Sequence, residues 1–192
     1  HPSSKTKFGM AAMDLLALPE TDRGNKQVLV FIDLATNFAA TRAMKDKTAQ
    51  ATAEAFIDIC NQLEFPTTLL TDKGSEFNNQ QLDEVLLKVN TIHFTTTPYR
   101  PQTDGATERL NQSIISMLRS LGSKADSNWD LELPSVTAAY NKKANRSTGV
   151  SPHELMYGIV PKSITYGSIA PQLLQETEQH STFYNENTSE SI

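Results

Sequence analysis

The amino-acid order predicts an α/β domain built on a mixed five-stranded sheet flanked by helices, and three observations lead there. Three β-rich segments follow one another in hairpin order before residue 45. From Thr48 the apolar spacing lengthens to the three-and-four rhythm of a helix. Strand and helix then alternate, a pattern that adds crossover-linked strands to an antiparallel meander.

The first strand is read in AMDLLAL, 12–18, an apolar run with one aspartate inside it, closed by the turn-forming residues Pro19 to Asn25. QVLVFID, 27–33, is the second and ends on Asp33; FAATRAM, 38–44, is the third, entered through the Thr36-Asn37 turn. With Thr48 as N-cap, a first helix carries Ala49, Ala53, Phe56, Cys60 and Leu63 on one face. FPTTLLTD, 65–72, gives a fourth strand that stops at Asp72 on Lys73-Gly74. Residues 79–89 form a second helix with Leu82, Val85, Leu86 and Val89 inward, and TIHFTTT, 91–97, is the fifth strand. The loop PYRPQTDG then leads into a helix expected to start at Thr103 or Asp104, whose apolar stripe is Leu110, Ile114, Met117, Leu118 and Leu121. Helices around 129–143 and 151–157 complete the compact part. The expected organisation is a linker at 1–7, a core at 8–163, and a polar acidic linker or disordered tail at 164–192 that contains no Lys or Arg.

A chain of 192 residues, 38% hydrophobic and 20% charged, has the composition of a soluble domain with one good-sized core. Its apolar runs fall short of a membrane span, and its first residues lack the apolar region of a signal peptide, so an intracellular setting without a membrane partner is expected. Cys60 is the single cysteine, which excludes an internal disulfide, and the four scattered histidines leave no Cys/His zinc constellation. The net charge of −5 has the wrong sign for holding nucleic acid by an overall field. A nucleic-acid role therefore requires local chemistry, and clustered carboxylates neutralised by divalent cations would supply both the charge balance and that chemistry.

Three acids fall at element ends where one site could be built: Asp14 in the first strand, Asp72 at the end of the fourth, and Glu108 in the first turn of the helix after the fifth. Asp14 lies among Met13, Leu15 and Leu16, where an ionised carboxylate needs a cation or hydrogen-bond donors. Taken alone, Glu108 is accounted for by ordinary interaction with a helix start, worth roughly 0.3–1 kcal/mol. Asp33 is the main rival as first aspartate; Glu76 and Asp104 read by default as turn and N-cap residues.

Asp72 and Glu108 have 35 residues between them, and around them stand MDLL (13–16), TDKGSEF (71–77) and TTPYRPQTDGATERLN (96–111). Trp129, Leu133-Pro134, Ala139 to Asn141, Ser147 to Pro152 and Leu155 to Gly158 follow in order. Over roughly residues 8–163 the chain resembles the catalytic core of retroviral and retrotransposon integrases, nearest to those of gypsy-class long-terminal-repeat elements. Two positions depart from that pattern: Arg100 stands where a histidine is common, and Ala17 where a glycine is.

The resemblance implies a ribonuclease H-like fold with Asp14, Asp72 and Glu108 as catalytic residues and metal ligands for two Mg²⁺ or Mn²⁺ ions. Such a site performs phosphoryl transfer by positioning and charge neutralisation. It implies metal-dependent processing of DNA 3′ ends and strand transfer into target DNA, as part of a Pol polyprotein. The expected partners are double-stranded DNA, both element ends and target, and further copies of the chain. Tyr99, Arg100, Gln102 and Arg109 are candidate DNA contacts, and Asn111 and Gln112, which share a helical side with Glu108, either face DNA or are solvated. The start at His1-Pro2 fits a piece of a longer polyprotein, with zinc-binding and basic or chromatin-reading domains outside it. The functional complex is expected in the nucleus after a cytoplasmic particle stage. The alternatives are an inactive or domesticated integrase kept as a binding module, and another nuclease or transposase of the same superfamily.

Overall fold

In a computed structural model, residues 5–95, 101–121, 127–145 and 149–162 are described, the side chains of 101–104 excepted. The elements run β1 (Ala11–Ala17), β2 (Gln27–Asp33), β3 (Ala39–Met44), α1 (Ala49–Gln62), β4 (Thr68–Thr71), α2 (Gln80–Lys88), β5 (Ile92–Thr95), α3 (Pro101–Ser120), α4 (Trp129–Lys142) and α5 (Pro152–Tyr157). The chain divides after Val160. The unit up to that point holds every element named here; the expected tail, 164–192, lies outside the described residues.

The strands form one sheet in the order β3-β2-β1-β4-β5. β1, β2 and β3 are antiparallel neighbours, whereas β4 joins β1 in parallel and β5 joins β4 in parallel. The alternation of side chains along each strand therefore divides the core into two layers. Ala11, Met13, Leu29, Phe31 and Leu69 face α1 and α2, where Phe56, Ile59, Leu82 and Leu86 close the layer. Ala12, Val28, Val30, Ile32 and Leu70 face the other way, against Ala106, Leu110 and Ile114 of α3 and Trp129, Leu133 and Val136 of α4.

The helix starts follow from local chemistry. The Thr48 hydroxyl accepts from the Ala51 amide, Asn79 Oδ1 from the Leu82 amide, and the Ser151 hydroxyl from the Glu154 amide, each satisfying a donor the helix cannot. Two expectations are corrected in α3. The helix begins at Pro101 rather than at Thr103 or Asp104, because a proline at the first helical position gives up no intrahelical bond and has its φ already set. Its apolar stripe ends earlier than expected: the helix stops at Ser120, and Leu121, one residue beyond, is 45% exposed.

Two long-range contacts fix α4. Asn141 donates to the Ala39 carbonyl at 2.7 Å and accepts from the Ala39 amide at 2.8 Å, so one side chain serves the open edge of β3 as a strand would. At the other end of the helix, Asp130 gathers the β1–β2 turn by accepting from Arg23 Nε at 2.7 Å and Asn25 Nδ2 at 2.7 Å, while the Trp129 indole donates to the Pro19 carbonyl at 2.7 Å.

Phe56 is fully buried between Phe31 and Phe65, so Phe56→Ala is expected to cost about 3–5 kcal/mol in denaturant unfolding. The Arg23 guanidinium holds the Asp130 carboxyl down at about 2, against 3.8 for an ordinary aspartate. A depressed folded-state value means that this stabilisation is complete above the unfolded value and is lost as pH falls through the folded one. Asp130→Ala is thus expected to cost about 1.5–3 kcal/mol at neutral pH, with the gap to wild type closing as unfolding is followed down toward pH 2.

Candidate active site

The site starts from a register. In the parallel ladder Ala12 stands opposite Leu70, and the same offset of 58 carried two residues further sets Asp14 beside Asp72, just where β4 has ended. Asp14 shares its face of β1 with Ala12, hence the face that α3 covers. Glu108, Asn111 and Gln112 lie along the neighbouring side of α3. The result is a cleft of about 340 Å³ lined by Asp14, Asp72 and Glu108 together with Thr71, Thr107, Asn111 and Gln112.

Asp14 is half-buried and held from both ends. Its Oδ1 accepts from the Leu15 amide at 2.8 Å and its Oδ2 from Asn111 Nδ2 at 2.9 Å. Burial pushes its carboxyl above the ordinary value; the two donors pull the other way, and the charges of Asp72 and Glu76 add to the rise. Each oxygen keeps lone-pair capacity beyond its one protein donor. The bond to Asp14 also fixes which way the Asn111 amide faces, and it leaves Asn111 Oδ1 buried without a partner among the described residues.

Asp72 is exposed at the end of its strand, its Oδ1 accepting from the Gly74 amide at 2.8 Å in an Asx turn. The two acids crowd Gly74: a Cβ there would lie 2.7 Å from Glu76 Cδ and 3.0 Å from Asp72 Oδ1, so a larger residue would push their side chains aside. That closeness brings in a fourth acid. Glu76, read from the sequence as a turn residue, is half-buried, 3.8 Å from Lys47 Nζ, and near enough to Asp14 to disfavour its charge. Nothing in its sequence neighbourhood distinguishes it from any polar turn residue; only the missing Cβ at Gly74 hints at crowding.

Glu108 is the eighth residue of α3, not a first-turn residue. It lies seven residues, or about 10 Å, from the helix start, and the field of the helix terminus falls off within the first turn. A dipole partnership therefore does not account for it. Its Oε1 accepts from Gln112 Nε2 one turn on, at 3.2 Å.

Asp33 is brought nowhere near this cleft. It stands opposite Ala11 at the other end of β1, fully buried, accepting from the Phe8 amide, the Thr36 amide and the Thr36 hydroxyl. Arg109 is exposed, its guanidinium lying back over Gly105 and acting on Tyr140 of α4, and it does not line the cleft. Tyr99 and Arg100, and the side chains of Gln102 and Asp104, lie outside the described residues.

Among the described residues, no three His, Cys, Asp or Glu side chains converge on a single point. The donors nevertheless suit a hard divalent cation of the Mg²⁺ kind, which takes one or two carboxylates and completes its shell with water and substrate oxygens. The buried, unpartnered Oδ1 of Asn111 is one more oxygen facing the same need.

The family model of the integrase core domain matches residues 5–101, which include Asp14 and Asp72. The Pro-Pol polyprotein of feline foamy virus is 31% identical over 159 residues, covering 83% of this chain and 14% of the polyprotein. The transposon Tf2-3 polyprotein of Schizosaccharomyces pombe is 29% identical over 163 residues, covering 83% and 12%. The chain thus spans only a small part of these relatives. Among solved structures, the catalytic core domain of BIV integrase superposes with a TM-score of 0.67 at 18% identity, over 78% of this chain and 93% of that one. The HTLV-2 integrase catalytic core domain in complex with magnesium gives 0.66 at 18% identity, over 77% and 95%. These two likenesses establish the ribonuclease H-like fold. With half of its length under the family model and most of it aligned to a relative above 30% identity, the chain belongs to the integrase core domain family.

Proposed function

We infer that this chain is the catalytic core of a retroelement integrase, a polynucleotidyl transferase that processes DNA 3′ ends and joins them to target DNA. The observation that carries the reading is the placement of Asp14 abreast of Asp72, with Glu108 brought by α3 to the same cleft. Membership of the integrase core family supports the reaction class.

Asp14, Asp72 and Glu108 are the residues that would hold Mg²⁺ or Mn²⁺, in a pair of ions shared between them. When bound, the ions would supply charge neutralisation at the phosphodiester and activation of the attacking oxygen. The chain's own residues do the positioning. The Leu15 amide and Asn111 each hold one oxygen of the Asp14 carboxylate where it lines the cleft. The Gly74 amide fixes one oxygen of Asp72 and leaves the other available. Glu108, whose one side-chain hydrogen bond among the described residues is to Gln112, stands on an exposed helix face and is the ligand with most freedom to turn toward substrate. Tyr99, Arg100, Gln102, Arg109 and Gln112 are the proposed DNA contacts, and a local grip of this kind is what a chain of net charge −5 requires.

The partners follow from the same reading: element-end and target DNA, and further copies of the chain, acting in the nucleus. One structural neighbour is a simian T-cell lymphotropic virus intasome in complex with the PP2A regulatory subunit B56 gamma, and the HTLV-2 core is described in a trimeric form. Those assemblies support an oligomeric integrase as the working unit here.

Calorimetric titration of Mn²⁺ into the chain is expected to show binding that Asp72→Asn abolishes; equal binding by both proteins would overturn the assignment of Asp72. In a longer polypeptide with its flanking domains, Asp14→Asn, Asp72→Asn and Glu108→Gln are each expected to bring strand transfer down to the level seen without enzyme. Asn111→Ala keeps all three carboxylates but frees one oxygen of Asp14, and is expected to weaken Mn²⁺ binding by about 10- to 100-fold, in the manner of other residues that orient metal ligands.

A further inference from the structure

β4 has a second face, and it carries a polar relay that ends at Asp72. Thr71, 2% exposed, sits one residue before Asp72, and its hydroxyl donates to the Asp72 backbone carbonyl at 2.9 Å. His93 of β5 is paired with Leu69, which puts it diagonal to Thr71 on the face toward α2. Its Nε2 lies 2.9 Å from the Thr71 hydroxyl, and its Nδ1 lies 3.4 Å from Asp83 Oδ1 on α2. The imidazole side chain is 13% exposed.

Donor and acceptor bookkeeping decides how these contacts coexist. A threonine hydroxyl has one proton, and a neutral imidazole has one N–H and one lone pair. If Nδ1 alone is protonated, it donates to Asp83, and Nε2 then competes with the Asp72 carbonyl for the Thr71 proton. If Nε2 alone is protonated, it donates to Thr71, but the Nδ1 lone pair faces a carboxylate. A proton on Nε2 lets the ring donate to Thr71 and leaves the Thr71 proton for the Asp72 carbonyl, while Nδ1 lies against Asp83.

We propose that His93 is a positioning residue for Asp72, acting through the Thr71 hydroxyl and oriented by Asp83. Donating to Thr71 Oγ1, it directs the hydroxyl proton onto the Asp72 carbonyl and so anchors the peptide from which the aspartate projects. His93 and Asp83 do not line the cleft, so they act on the ligand's place through Thr71 rather than by touching substrate. Its bearing on metal rests on the assignment of Asp72 as a ligand; the hydrogen-bond relay itself does not.

The test is nuclear magnetic resonance of the isotopically labelled 192-residue chain, reading the Asp72 carbonyl carbon and the Lys73 amide that follows it. Thr71→Val and His93→Ala are each expected to shift both resonances in the same direction. His93→Gln, whose amide nitrogen can replace Nε2–H as donor, is expected to leave them near wild type. Mn²⁺ titration of the same proteins should show affinity weakened about tenfold in Thr71→Val and His93→Ala and restored in His93→Gln. Unmoved resonances in Thr71→Val and His93→Ala, in proteins whose remaining spectra show them folded, would overturn the relay. Equal loss in His93→Gln and His93→Ala would also overturn it, since it would mark simple packing. Moved resonances and rescue by Gln, in a wild-type chain that binds no Mn²⁺, would uphold the relay and sink the metal assignment instead.

Discussion

The site depends on the parallel register between β1 and β4. Opposing residues share a face, so the offset that pairs Ala12 with Leu70 also sets Asp14 and Asp72 side by side where the ladder has run out. A slip of one residue would turn Asp14 into the layer filled by Phe31 and Phe56, where a carboxylate has no donor and costs several kcal/mol. Two buried faces forbid that slip. Leu69 and Leu70 are both below 3% exposed, as are Ala11 and Ala12, and any shift would exchange the contents of both layers at once. The apolar core is thus what fixes the spacing of the acids.

Within that frame, one residue type serves two ends. Asp33 meets three donors at the start of β1 and closes the turn between β2 and β3; its hydrogen-bonding capacity is directed at the fold. Asp14, about 10 Å further along the neighbouring strand, meets two among the described residues, and lies under the field of Asp72 and Glu76. Burial makes its charge costly, and incomplete compensation makes a cation welcome. The same cleft that destabilises the empty carboxylate thereby favours its neutralisation by an ion, a bias that a fully satisfied aspartate such as Asp33 could not provide.

Most of the sheet was legible because its strands are apolar and bounded by turn residues, α1 because the helical period and the cap at Thr48 agree, and α2 from its helical period alone. What escaped the sequence came from contacts between distant segments. The start of α3 was placed late because Thr103 and Asp104 look like caps, whereas Pro101 is equally suited to a first turn; the error made Glu108 look like a dipole partner. Asn111 and Gln112 were read with DNA in view, and neither the Asn111 bond to Asp14 nor the Gln112 bond to Glu108 could be chosen over solvent without the geometry of the cleft. Glu76 and His93 carry no local signature at all, since the groups that give them meaning lie 62 and 22 positions away at Asp14 and Thr71. The arginine and tyrosine of the loop before α3, Arg100 and Tyr99, were singled out from residue type alone and lie outside the described residues.

β4 shows why a catalytic core can be sensitive far from its cleft. Four residues long, it offers Leu70 to the layer under α3 and Leu69 to the layer under α1 and α2, and then Thr71 and Asp72 continue that alternation beyond the core. The aspartate inherits its direction from a strand clamped on both faces, and its carbonyl from a hydroxyl on the opposite face. Substitutions in α2 or β5 that leave the cleft intact would still reach it through this strand, because a segment this short has no slack in which to absorb a shift. Packing behind the sheet and chemistry in front of it are therefore coupled at a single peptide, the one joining Asp72 to Lys73.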